Sequence, residues 1–174
     1  MSVYNSGLMG CNVHHKEGTI LFYGGIFSQW VECEYFINIG DVKEKVNCAE
    51  QAMMLYKAHV FDDSETYFQI LDTTNPSEQK MLGRKVQGFD NEKWKTVAYD
   101  FVARSTYEKF NQNKVWKELL MLTWPYELVE ASPTDKIWGI GYSAQNPSVF
   151  KERKDWGSNL LGIALMKTRA DFLK

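Results

Sequence analysis

The sequence predicts an α+β fold: one helix-rich domain carrying a small antiparallel sheet. Three observations lead there. Val31, Cys33, Tyr35, Ile37 and Ile39 alternate with Glu32, Glu34 and Asn38, which reads as a half-buried strand. Helix-start signals recur at Asn47, Asn75, Asp90 and Asn113. The chain has 174 residues and no internal repeat, low-complexity tract or linker, so it is expected to build one core rather than two.

The elements follow in order. Residues 1–18 are polar and contain glycine, so a loop is expected there, before a short β-prone run from Ile20 to Tyr23. Gly40-Asp41 turns the Val31–Ile39 strand into a return strand, Val42 to Val46. Asn47-Cys48-Ala49-Glu50 reads as a capping box. Its helix runs to about His59, with Ala49, Ala52, Met53, Tyr56 and Val60 at core spacing. Asn75 caps a short helix that has Pro76 at its first position and ends near Gly83. Asp90 caps a longer one, with Trp94, Val97, Ala98, Phe101, Val102 and Ser105 on its inner face. Asn113 caps a helix over 114–122, which Pro125 closes off. Tyr126 to Ala131 is a strand, and Ser158 to Leu173 the closing helix. The single domain is expected over 1–174, with its core at about 20–172.

Composition narrows the function. Hydrophobic content of 44% and charged content of 24% are ordinary for a globular protein, while 14% aromatics is high. A formal net charge of −2 argues against gripping nucleic acid in bulk by phosphate neutralisation. It leaves room for a nucleotide that needs a few local cations. Lys151-Glu152-Arg153-Lys154 and Lys167/Arg169 are either those cations or solvated surface. Cys11, Cys33 and Cys48, odd in number and without CxxC spacing, fit reduced thiols. His14, His15 and His59 form no metal signature, and neither a metal nor a cofactor is expected. Residues 1–10 lack a signal peptide's basic start and apolar run, and no apolar stretch approaches the roughly 20 residues of a membrane span. A cytoplasmic protein without a membrane partner is expected; nothing in the sequence sets its oligomeric state.

The stretch from Asp135 to Arg169 gathers special residues. Two Trp-Gly pairs, Trp138-Gly139 and Trp156-Gly157, bracket a polar insert, and Asn159-x-x-Gly162 opens the last helix. Glycine lets backbone approach a ligand closely, tryptophan offers a stacking wall, and aspartate an acceptor or a base. The combination points to a pocket for a planar ring and a sugar. Asp135 has a second reading, because Ser132-Pro133-Thr134-Asp135 looks like a turn in which the carboxylate bonds backbone. Glu50 also has two: partner in the capping box, or a carboxylate in a cleft. Lys57 lies two turns on and on roughly the same face, so the two form either an intrahelical salt bridge or a base and a nucleophile along one wall. Burial would lower the lysine's pKa. Gly139-x-Gly141 does not link a strand to a helix, which excludes a dinucleotide-binding fold. No phosphate-binding P-loop, GxSxG or HExxH is present.

Taken in order, these segments resemble the NADAR (YbiA-like) family over roughly residues 20–172. Ile26-Phe27-Ser28-Gln29-Trp30 resembles its LSNF segment, and Asn47-Cys48-Ala49-Glu50-Gln51-Ala52 through Tyr56-Lys57 its Glu- and Lys-bearing helix. Asn75-Pro76 through Gly83-Arg84, Trp94, Lys109-Phe110 and Leu128 to Ser132 follow. Asp135, Trp138-Gly139 and Asn159-x-x-Gly162-x-x-Leu165-Met166-x-x-Arg169 complete the set. The resemblance implies a compact α+β fold and N-glycosidase chemistry on ADP-ribose-linked or phosphoribosyl substrates. The substrate it implies first is ADP-ribosylated guanine, free or within nucleic acid; early riboflavin-pathway intermediates are the alternative. A module that binds ADP-ribose or another nucleotide without turning it over is the rival class.

The resemblance implies Glu50, Lys57 and Asp135 as catalytic candidates. Phe22, Ser28, Arg84, Trp94, Trp138, Gly139 and Asn159 are the candidates for substrate contact. Arg84, Lys167 and Arg169 are candidates to meet phosphate. Two departures stand out. Gln29 and Trp30 replace the Asn and Phe of LSNF, which alters ring or ribose recognition, and the insert from Tyr142 to Asp155 is long enough to reshape a rim or form a lid.

Overall fold

Expected to be a loop, residues 11–16 are a strand. In the computed structural model, which describes residues 11–174, β1 (Cys11–Lys16) turns through Glu17 and Gly18 into β2 (Thr19–Gly24). Both turn residues have positive φ, 53° and 75°, the geometry that matches a hairpin's twist. The part of that expected loop before Cys11 lies outside the described residues. Ile20, Leu21 and Phe22 are all buried, a continuous apolar run of the kind found where a strand is covered on both faces, and β2 is also paired on both edges. The second neighbour is β5 (Glu127–Glu130), which lies parallel to β2 with Ile20 opposite Leu128.

The sheet arrangement therefore corrects the single antiparallel sheet. The order β1-β2-β5 is mixed, and a separate two-stranded sheet pairs β3 (Tyr35–Ile39) with β4 (Val42–Val46). A parallel neighbour requires a long crossover, and residues 25–126 supply one. β3 is shorter than its alternation. The ladder starts at Tyr35 opposite Val46, and Cys33 makes one bond beyond it, from its N–H to the Asn47 carbonyl at 2.8 Å.

The described chain forms two compact units: residues 11–28 with Asn113–Lys174, and Gln29–Gln112. The second holds the β3–β4 hairpin and four helices: α1 (Ala49–Val60), α2 (Ser64–Asp72), α3 (Pro76–Gly83) and α4 (Asn91–Asn111). α1 packs on the other three, with β3 against α1 and α4. The unexpected helix is α2, capped by Asp63, whose carboxylate accepts from Thr66 N–H at 3.0 Å. It buries only Thr66 and Ile70 and leaves Phe68 exposed, although Tyr67, Phe68, Ile70 and Leu71 fall at helical spacing. Asn75 and Asp90 cap α3 and α4 through their side chains as expected. The outer edge of β3 is closed by α4 side chains: Gln112 exchanges two 2.8 Å bonds with the Phe36 backbone, and Arg104 donates to the Asn38 carbonyl.

The first unit packs α5 (Lys114–Leu122) and α6 (Leu160–Phe172) with the three-stranded sheet. Asn113 stands at the cap position of α5 but makes no side-chain capping bond. Leu21, Val129, Ala131, Ile140 and Val149 form a core cluster here, and Tyr142 and Phe150 of the insert, with Trp156 just after it, pack on it. Arg169, a candidate for phosphate, is buried in α6 and donates to Thr123 Oγ1 and the Tyr126 carbonyl, both at 2.8 Å. Its charge is used inside the unit, holding the turn that leads into β5.

A second buried cation has a measurable consequence. Lys109, 2% exposed in α4, has its pKa pulled by burial to about 8, whereas an unfolded lysine titrates near 10.5. Between those values the unfolded chain binds the extra proton, so stability rises with pH. Burial lifts the Cys48 thiol from 9.0 to about 11, which opposes that rise above pH 9. Denaturant melts are therefore expected to show stability climbing between pH 8 and 9, by at most about 1.4 kcal/mol per pH unit from this group. Lys109→Met should flatten the climb; a variant that keeps the full slope would assign it to another group.

Candidate active site

Glu50 sits in the first turn of α1, but the cap is built one residue later than expected. Cys48 is the N-cap, its sulfur accepting from Gln51 N–H at 3.4 Å. Gln51, not Glu50, reaches back: its Oε1 accepts from Asn47 N–H at 2.8 Å. The Glu50 carboxylate turns instead to Trp30, whose Nε1–H donates to Oε2 at 3.1 Å. Glu50 is 4% exposed and its own N–H donates to the Gln29 carbonyl at 2.9 Å. The Trp30 ring is 44% exposed, and the Lys80 ammonium lies over it at 5.4 Å.

Lys57, half-buried two turns along α1, makes no ion pair with Glu50. Its Nζ donates to the Gly83 carbonyl at 2.7 Å and stands over the Phe89 ring at 3.9 Å, with the Trp94 ring at 6.0 Å. Seven residues of helix separate the two α-carbons by roughly 10 Å on nearly one face. The pair is thus a carboxylate and an amine at two ends of one wall, each held by groups from outside the helix. Gly83 makes the amine's seat possible: a Cβ there would overlap the Met54 sulfur, so glycine lets α3 come this close to α1 with Met54 in its present position. Burial lowers the Lys57 pKa, and the charge of exposed Arg84 at the end of α3 lowers it further. A lowered pKa leaves more free amine near neutral pH, the form that attacks carbon. Trp94 is half-buried and its ring lies 6.2 Å from Tyr56, which stacks on Phe101 at 4.0 Å.

Asp135, Trp138, Gly139 and Asn159 come together as a clasp in the first unit. One Asp135 oxygen, Oδ1, accepts from Ile137 N–H at 2.8 Å and Trp138 N–H at 2.9 Å, the turn geometry that was the second reading. Oδ2 makes no hydrogen bond among the described residues. The loop's carbonyls then take the first N–H groups of α6: Ile137 accepts from Leu160 and Trp138 from Leu161, both at 3.1 Å. Two of the N–H groups that a helix N-terminus would offer an anion are thus already taken.

Asn159, left-handed at φ 50°, places its amide along β5, accepting from Glu130 N–H and donating to the Leu128 carbonyl at 3.0 Å each. The glycines follow from this closeness. A Cβ on Gly139 would meet the Glu130 carbonyl oxygen at 2.8 Å, and one on Gly162 would overlap the Leu128 carbonyl oxygen. The glycines that pointed to a ligand are thus required by backbone packing. Trp138 is half-buried. Trp156 donates to the Val149 carbonyl at 2.8 Å and packs on Phe150, which anchors the insert to its unit.

Among the remaining candidates, Phe22 is 0% exposed and packs on Phe27 at 5.3 Å, a core position with no surface for a ligand. Ser28 is half-buried and closes the short 3-10 turn Gly25–Phe27. Trp30 and Phe89, neither singled out as a site residue from the sequence, contact the two best-placed functional groups. Trp30 did carry a signal, the replacement of Phe in the LSNF segment. Phe89 had none. Among the described residues no cluster of three or more His, Cys, Asp or Glu could hold a metal ion, and no helix is long and apolar enough to cross a membrane.

Comparison with known proteins places this geometry in a family. The NADAR domain model matches residues 21–173, a span that runs through both units. The N-glycosidase R617 of Acanthamoeba polyphaga mimivirus is 40% identical over 148 residues, covering 84% of this chain and 86% of that protein. Protein irg-1 of Caenorhabditis elegans is 39% identical over 143 residues, or 79% and 68% of the two chains. The NMR structure of the E. coli protein YbiA superposes with a TM-score of 0.70 at 22% identity, covering 99% of this chain and 94% of that one, so the fold is shared. The chain belongs to the NADAR family.

Proposed function

We propose that this protein removes ADP-ribose from modified guanine by breaking the bond between the ribose anomeric carbon and a base nitrogen. The broad class follows from its N-glycosidase relatives: the chain is a hydrolase acting on N-glycosyl compounds. The observation that carries the chemistry is the α1 wall, with the buried Glu50 carboxylate toward one end and the pKa-lowered Lys57 amine toward the other. The formal charge of −2 favours a single modified base over a long phosphate track. We also propose that the whole chain acts as one NADAR domain.

Breaking an N-glycosidic bond develops positive charge on the ribose, and a fixed carboxylate stabilises it. Glu50 is the stronger carboxylate for this role, because it is nearly buried on the same helix face as Lys57, whereas Asp135 accepts two backbone N–H groups of its own turn. In the covalent version the free Lys57 amine attacks the anomeric carbon. The carbon–nitrogen pair leaves with the base, which takes up a proton. The ribose ring opens to a Schiff base on Lys57, and water then releases ADP-ribose and restores the amine. Asp135, Trp138, Gly139 and Asn159 stay candidates for substrate contact through the family resemblance.

Borohydride added during turnover of ADP-ribosylated guanosine should fix an ADP-ribose adduct on Lys57, found by peptide mass spectrometry. Turnover without an adduct would remove the covalent version and leave the carboxylate one. A rise in Tm with the substrate, but no product, would make the chain a binding module instead.

A further inference from the structure

We propose that Trp30 is a positioning residue for this reaction, its indole N–H fixing the Glu50 carboxylate in its working orientation. The inference rests on Glu50 acting as the reaction's carboxylate. Two neighbouring residues grip Glu50 at both ends: the Gln29 carbonyl takes its backbone N–H at 2.9 Å, and Trp30 Nε1–H donates to its Oε2 at 3.1 Å. A carboxylate so placed cannot swing between rotamers without breaking a charge-assisted bond. The donor is an indole, which has no acidic proton to give up, so it orients the carboxylate without competing to protonate it.

The ring is itself held. Lys80 sits over it at 5.4 Å, a cation–π contact that sets a positive charge beside the pair. Yet 44% of Trp30 is exposed, so a large aromatic stands at the surface while its one polar atom points inward to a nearly buried carboxylate. A phenylalanine, as in the LSNF segment, would supply the ring and omit the donor. The Trp at this position therefore adds a hydrogen bond to Glu50 that a family member with Phe makes some other way or lacks.

The test is a cycle of four proteins: wild type, Trp30→Phe, Glu50→Gln and the double variant, assayed with ADP-ribosylated guanosine. Trp30→Phe should lower kcat about 10-fold, the worth of one hydrogen bond to a charged group, with KM and Tm nearly unchanged. In the Glu50→Gln background the same change should alter the residual rate by less than about 2-fold, because the negative charge that Trp30 orients is gone. An equal effect in both backgrounds, an effect on KM alone, or no effect would overturn the proposal. Full turnover by Glu50→Gln would instead sink the reading of Glu50 itself. A second readout needs no Trp30 variant: the Trp30 indole N–H resonance should shift when Glu50 becomes Gln, and a stationary resonance would count against the bond.

Discussion

Glu50→Gln is expected to lower turnover by about 10²- to 10⁴-fold while leaving the protein folded, the range measured for loss of a positioned acid or base. The substitution keeps shape and an acceptor. The Gln carbonyl oxygen can still receive Trp30 Nε1–H, and the cap of α1 depends on Cys48 and Gln51 rather than on residue 50. The negative charge is removed, and one carboxylate oxygen becomes an amide NH2. Tm should therefore move by no more than about 2–4 °C, the shift that corresponds to roughly 1 kcal/mol in a chain of this size. A variant that loses activity and melts far lower would show that Glu50 serves the fold. A variant with normal turnover would remove the carboxylate from the mechanism.

The second large effect is on stability. Gly162→Ala should destabilise the chain by about 3 kcal/mol or more, lowering Tm by roughly 6–12 °C. A Cβ there would overlap the Leu128 carbonyl oxygen and meet both Asn159 amide atoms at 2.5 Å. Leu128 is backbone of β5 and fully buried, so it has nowhere to retreat. Alanine's better helix propensity, about 1 kcal/mol, works the other way and is the smaller term. Gly83→Ala is the control, because the atoms its Cβ would meet belong to the flexible Met54 side chain. It should cost less stability, and, because Gly83 seats the Lys57 amine, more activity. Equal losses of stability from the two would contradict this assignment of rigid and yielding neighbours.

These two substitutions also mark where the sequence was legible. The hairpin, α1, α3, α4 and α5 were readable because short-range chemistry sets them: alternation, a Gly-Asp turn, and Asn or Asp before an apolar period. α2 was not, because it buries only two residues and its Phe68 faces solvent. β1 was hidden by its polarity, and the parallel pairing of β2 with β5 depends on residues about a hundred positions apart. At the site, Glu50 and Lys57 were readable as one helix face, but the capping box was assigned one residue early because cysteine rarely serves as an N-cap. The glycines around Trp138 and Asn159 looked like ligand approach. Their cause is contact between the loop, α6 and β5, which no local pattern encodes.

The most direct test of the central claim is to incubate the protein with ADP-ribosylated guanosine and identify the products by mass spectrometry. The early riboflavin-pathway phosphoribosylamino-pyrimidines run alongside. The expected result is guanosine and intact ADP-ribose, absent with Glu50→Gln, and no comparable turnover of the pyrimidines. Cleavage at the pyrophosphate, or turnover of the pyrimidines with the guanosine adduct left whole, would contradict it.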